Sequence, residues 1–179
     1  MAMFKAFSDG VEVNGETVLS VVNGSPLKEF TLDILAKNGI KEPKAGRWYS
    51  QQTWLNVFKI ISDQIGPTLL YSIGYSIPEN AEFPEHIDTI EKALASIDIA
   101  YHMNHRNGDI GYYKFEMNGK NCGKMICENP YPCDFDRGII TGMAQKFKPQ
   151  GSLFVVVEHA PEGPCRMNGD NTCIYNISW

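Results

Sequence analysis

Cys122, Cys127, Cys133, Cys165 and Cys173 are the five cysteines of a 179-residue chain, and their spacing carries the most chemistry in it. Cys165 and Cys173 flank Asn168-Gly169-Asp170-Asn171, and the residues after Cys173 alternate apolar and polar. That pattern predicts a β-hairpin with one thiol on each arm. With the turn centred on Gly169, the two thiols sit opposite each other and can pair or jointly hold a metal. Cys133 follows Pro132 at the start of a predicted helix. The partial positive charge of a helix N-terminus favours a thiolate, which is the form zinc binds. Zinc takes sulfur, nitrogen or carboxylate ligands in a tetrahedron. His159, at the end of a predicted strand, and Glu162, in the loop before Cys165, are the candidates for the fourth position.

Other chemistry competes for the same side chains. An odd number of cysteines without a signal peptide argues against a disulfide framework. Cys122 and Cys127 read as small buried hydrophobes. Cys165 and Cys173 would form a cross-strand disulfide under oxidising conditions. Cys133 and His159 could be a thiolate–imidazole catalytic pair, but a metal site also uses the two remaining sulfurs. Asp134 and Asp136 offer an acid–base pair, or simply complement a helix dipole in its first turn.

The elements that must position these groups follow from periodicity and punctuation. Residues 11–22 read as a hairpin turning at Asn14-Gly15. Ser25-Pro26 opens a helix that stops at Asn38-Gly39. A longer helix runs from Ser50 to Gln64 with Trp54, Leu55, Val57, Phe58, Ile60 and Ile61 on its apolar face. Gly66-Pro67 breaks it, and the next helix ends at Pro78. Pro84 begins a further helix, residues 85–102. Residues 110–116 and 120–128 are two strands, 134–147 a helix, and 152–159 a strand with a continuous Leu-Phe-Val-Val-Val core. The order predicts one α+β domain over residues 1–179, an N-terminal helical layer on a C-terminal antiparallel sheet.

Bulk properties narrow the function. Net charge is −5, hydrophobic residues make up 43% and charged residues 21%. With no basic block, a phosphate-tracking nucleic-acid surface is not expected. No apolar run approaches the roughly 20 residues of a membrane span, and the N-terminus has no signal-like apolar stretch. The expectation is a cytoplasmic protein with no membrane partner. Gly108 and Gly111 lack the strand–loop–helix context of a nucleotide site.

Pro132-Cys133, Gly138 and Gly142 in a helix, and Cys165-x7-Cys173 around Gly169 together resemble the 4-vinyl reductase domain, over residues 85–179. That domain is the sensory half of phenol- and xylene-responsive activators. It shares its fold more distantly with haem nitric-oxide-binding proteins and vesicle-tethering subunits. The resemblance implies a structural zinc on Cys133, Cys165 and Cys173. The family's glutamate corresponds to Glu162 by spacing, but the extra residues 160–164 give its place to His159 by strand register. It also implies a sensor for a small hydrophobic or aromatic molecule, a homodimer, and a separate output protein in signal transduction. A tetrapyrrole vinyl reductase is the enzymatic alternative.

In such sensors the pocket lies between helices and sheet. Trp54, Phe58, Tyr75, His102, Tyr112 and Phe115 are the candidates to line it, with plain core the competing role for Trp54 and Phe58. His102 and His105, three apart, share a face if their helix continues. Arg106 would cap that helix or pair with an anion. Haem is a rival cofactor, with His102 as its axial ligand. The related haem family grips propionates with Tyr-x-Ser-x-Arg, whereas Tyr131-Pro-Cys-Asp-Phe135 here lacks the serine and the arginine.

Overall fold

The computed structural model describes residues 3–179. Two antiparallel sheets are framed by helices. The smaller, in the order β2-β1-β3, joins β1 (Glu12–Asn14), β2 (Trp48–Ser50) and β3 (His105–Arg106). The larger runs β4-β5-β7-β6, from β4 (Tyr112–Met117), β5 (Cys122–Glu128), β6 (Val156–His159) and β7 (Cys173–Ser178). Helices α1 (Gly15–Gly24), α2 (Lys28–Lys37), α3 (Gln51–Gln64), α4 (Pro67–Asn80) and α5 (Ile90–Met103) precede the larger sheet, and α6 (Cys133–Lys146) interrupts it. The expected α+β domain is observed.

Several boundaries differ from the sequence expectation for identifiable reasons. Asn14-Gly15 opens α1 instead of turning a hairpin. The Asn14 side chain accepts from Thr17 N at 2.9 Å, the cap that helix needs. Its amide also donates to Asn104 Oδ1 at 2.6 Å, tying β1 to the end of α5. Pro78 lies within α4 rather than ending it; so close to the C-terminus it removes only one backbone bond. Residues 85–88 are irregular because His86 takes a φ of 65°, and α5 starts only where Thr89 caps it. The strand expected at 152–159 is shorter, and Leu153 and Phe154 are 87% and 65% exposed. β6 is an edge strand, so its approach is not enclosed.

The core sits between α3, α4, α5 and α6 and the inner face of the larger sheet. Alternation along β5 and β7 turns Met125, Cys127, Cys173, Tyr175 and Ile177 inward. α4 and α6 cross with their backbones nearly touching. A Cβ at Gly74 would lie 2.2 Å from Phe135 O, and one at Gly138 2.3 Å from Tyr71 O. At Gly142 the distance would be 2.4 Å to Tyr75 O. Only glycine permits this approach, and it fixes the start of α6, which carries Cys133.

Candidate functional site

Four side chains predicted as metal ligands meet at the end of the larger sheet. The ligand atoms of Cys133, His159, Cys165 and Cys173 all lie within 4.8 Å of one another. Each comes from a different device. Cys133 is the first residue of α6, and Tyr175 of β7 pins it by donating to Cys133 O at 2.7 Å. Cys173 starts β7, with Cys127 of β5 as its register partner. His159 ends β6 beside Tyr175, their rings 4.4 Å apart. Cys165 precedes a single 3-10 turn, Arg166–Asn168, closed by Gly169 in the left-handed conformation.

This corrects the hairpin expectation. Cys165 is not in a strand, and the cysteines are not a cross-strand pair. Their sulfurs still converge, at 3.8 Å, because the turn folds back over the start of β7. Arg166 N points at Cys173 Sγ from 3.3 Å. Cys133 Sγ lies 3.9 Å from Cys165 Sγ and 3.1 Å from Cys173 Sγ. His159 Nε2 is 3.8 Å from Cys165 Sγ. All five cysteines are free thiols. A zinc tetrahedron with bonds of about 2.3 Å has sulfur–sulfur edges of about 3.8 Å. Two of the three edges match, and the third needs only a small opening. Glu162 is exposed and outside the cluster.

The site's electrostatics favour one thiolate, at Cys173. The Cys133 thiol donates to Cys173, which pulls Cys173 well below the usual thiol range and pushes Cys133 above it. His159 and Arg166 draw Cys173 down further. Arg166 was not anticipated, although its buried side chain is central. Its Nε donates to Cys173 Sγ at 3.4 Å, and its guanidinium bonds Asp136 and Asn129. Asp136 is fully buried, and Tyr113 OH donates to it at 2.6 Å. It is therefore neither an exposed dipole partner nor a free acid–base group. Burial raises its carboxyl and Arg166 opposes that.

Tyr113 leads from this network to the second region. A mainly apolar cavity of about 50 Å³ lies between the helices and the sheet. Among the six expected lining residues, Trp54 is in its wall. Phe58 is core, edge-on to Trp54, Tyr131 and Phe135. Phe115 is half-buried against the core. Tyr75 and Tyr112 are exposed. His102 is exposed as well, 52% for its side chain, with Nδ1 bonded to Asp98 O. α5 ends at Met103, so His102 and His105 do not share a face.

His105 is the histidine that enters the wall, with Tyr101, Asn104, Tyr113 and Tyr131. Its Nδ1 donates to Tyr101 O at 2.8 Å, and its Nε2 accepts from Tyr131 OH at 2.7 Å. Burial pushes its pKa down to about 4, so it is neutral at pH 7. Arg106, next in the chain, pairs with Glu12 at 2.7 Å and stacks on Trp48. One signal for the wall was available. Tyr112 and Phe115 are three apart in a strand and cannot share a face; the inward set is Tyr113 with Phe115.

No protein-family model and no curated protein sequence matches the chain. Solved structures do. An H-NOX protein from S. oneidensis, in the Fe(II)NO ligation state, superposes with a TM-score of 0.69 at 11% identity, over 92% of this chain and 98% of that one. A point mutant of an H-NOX protein from K. algicida, Fe(II) and unliganded, gives 0.62 at 12% identity, over 92% and 95%. A structure from a study of heme distortion in the H-NOX family gives 0.66 at 15% identity, over 93% and 94%. Among the described residues no helix is long and apolar enough to cross a membrane. At these identities the likeness concerns architecture, and on that level the conclusion is firm: the chain has the fold of the H-NOX domains.

Proposed function

We propose that this chain is a small-molecule sensor domain of the H-NOX fold, braced by one structural zinc and binding its ligand directly in the cavity. The observation that carries the zinc is the meeting of three sulfurs and one imidazole nitrogen within 4.8 Å. Cys133, Cys165, Cys173 and His159 would hold the ion. With four protein ligands and no open position, it would supply a cross-link between α6, β6 and β7 and not a reaction centre. Metal analysis tests this: about one zinc per chain is expected, and a metal-free chain of unchanged stability would refute it.

The sensing half rests on the cavity. Its wall draws side chains from α1, α3, α4, α5, β3, β4 and α6. A molecule bound there touches the helical layer and the sheet together, so its binding energy can bias their relative position. A separate output protein would read that change. The 4-vinyl reductase resemblance rests on the cysteine set, and no family model supports it.

The fold likeness favours a second reading, a haem-borne gas sensor, and the residues present do not fit haem. The buried face of α5 is Ile90, Ala93, Leu94, Ser96, Ile97, Ala100 and Tyr101, with no imidazole. His102 faces solvent, and both nitrogens of His105 are taken. Phe135 stands in the wall, and the wall has no lysine or arginine to meet a propionate. The volume of about 50 Å³ is far below the roughly 300–1,000 Å³ of cofactor sites. Titration with haem decides between the readings. No Soret shift is expected, and a stoichiometric Soret band lost in His105→Ala would establish the haem reading.

A further inference from the structure

Resting on the reading of the cavity as a ligand site, we infer that its ligand is a small uncharged molecule with an oxygen acceptor, a carbonyl compound of about two to four heavy atoms. The size comes from the volume. A dry cavity of about 150 Å³ accepts benzene, and this one is about 50 Å³.

The acceptor is called for by the polar atoms of the wall. Trp54 is wholly buried, and its Nε1, which can only donate, has no protein hydrogen-bond partner. Thr17 Oγ1, also in the wall and buried, has none either. The Gln51 amide and Trp54 Nε1 come near the Tyr131 hydroxyl without reaching hydrogen-bond geometry. That hydroxyl spends its proton on His105. Asn104 is committed to Asn14, Ala100 and Glu82. The demand left unmet in the lining is therefore that of Trp54 Nε1, which only donates, and of Thr17 Oγ1, which both donates and accepts; a buried donor left without a partner is costly. A carbonyl oxygen answers it.

Charge is excluded by the lining. No aspartate, glutamate, lysine or arginine is in it, so an ion would enter uncompensated. The remaining wall is Ile77, Ala81, Phe83, Ile97, Ala100 and Ile139 with aromatic faces, which suits methyl groups.

Acetone, acetate and isobutene are nearly the same shape and separate these properties. They are titrated into ¹⁵N- and methyl-labelled full chain, watching the Trp54 indole N–H, assigned by through-bond NMR, and the Ile97 and Ile139 methyls. Acetone should move the indole N–H and the methyls together and saturate. Isobutene should bind about three- to tenfold more weakly, the worth of one hydrogen bond. Acetate should move neither set. Thr17→Val, isosteric and still carrying Trp54, should weaken acetone by about three- to tenfold and leave isobutene unchanged.

Isobutene binding as well as acetone, or acetate binding at all, would overturn the ligand class and leave the cavity a ligand site. No response to any probe would remove both.

Discussion

The cysteine corner and the cavity sit on opposite ends of one network, and they are built by different rules. At the corner, the proposed metal site depends on a few atoms from points far apart in the chain, and the backbone brings them together: a helix start, two strand ends and one tight turn. The cavity depends on which face each helix and strand turns inward, and many side chains share its wall. Arg166, Asp136 and Tyr113 join the two. A corner of this kind fails when a single atom is removed. A cavity of this kind changes by degrees.

The largest effect should therefore come from Cys133→Ser. Structural zinc is worth about 10–16 kcal/mol in small zinc domains. Here loss of the metal should cost on the order of 5 kcal/mol, seen as zinc-free protein with a much lower Tm. Asp136→Ala comes next, at about 3–5 kcal/mol, because it leaves the Arg166 guanidinium buried without its counter-charge. Denaturant unfolding measures it. A loss under about 1 kcal/mol would mean that the two regions are not joined as described.

The third test is pH. Folded His105 refuses a proton until about pH 4, whereas the unfolded chain takes one near 6.5. Between these values the unfolded state binds more protons, so stability falls as pH drops through the window. The full effect is about 3 kcal/mol. Since acid would also protonate the four proposed zinc ligands, the measurement is the difference between wild type and His105→Gln, whose stability should fall less over that range. Trp54→Phe is expected to shift stability by less than about 1.5 kcal/mol, since it removes a polar atom with no partner. Smallest of all, Glu162→Gln should leave zinc content and Tm unchanged, whereas His159→Ala should release the metal. The reverse result would restore Glu162 as the fourth ligand.

The same contrast explains what could be read in advance. Cys133, Cys165, Cys173 and His159 were legible because cysteine and histidine advertise metal chemistry, and because the helix start and the Gly169 turn are marked in the sequence. The cavity was not. Tyr112 and Tyr113 are chemically equal, and only the register with β5 decides which faces inward. His102 and His105 are equal too, and the end of α5 at Met103 separates them. The short sheet of β1, β2 and β3 pairs segments far apart in the chain, which no local pattern announces. Arg166 was missed because a buried arginine makes sense only beside Asp136.

The glycine seam between α4 and α6 limits where the cavity could be enlarged. Two helices in backbone contact have no side chains left to trim along their seam, and any added carbon would pry them apart. A lineage or an engineer seeking a roomier chamber would have to carve it from side chains that face the cavity: Tyr101, Tyr113 or Ile97, and on the two seam helices Ile77, Phe135 or Ile139. Diversification would thus be channelled into side chains that project away from the seam, while the backbone contact that fixes the start of α6 stays frozen.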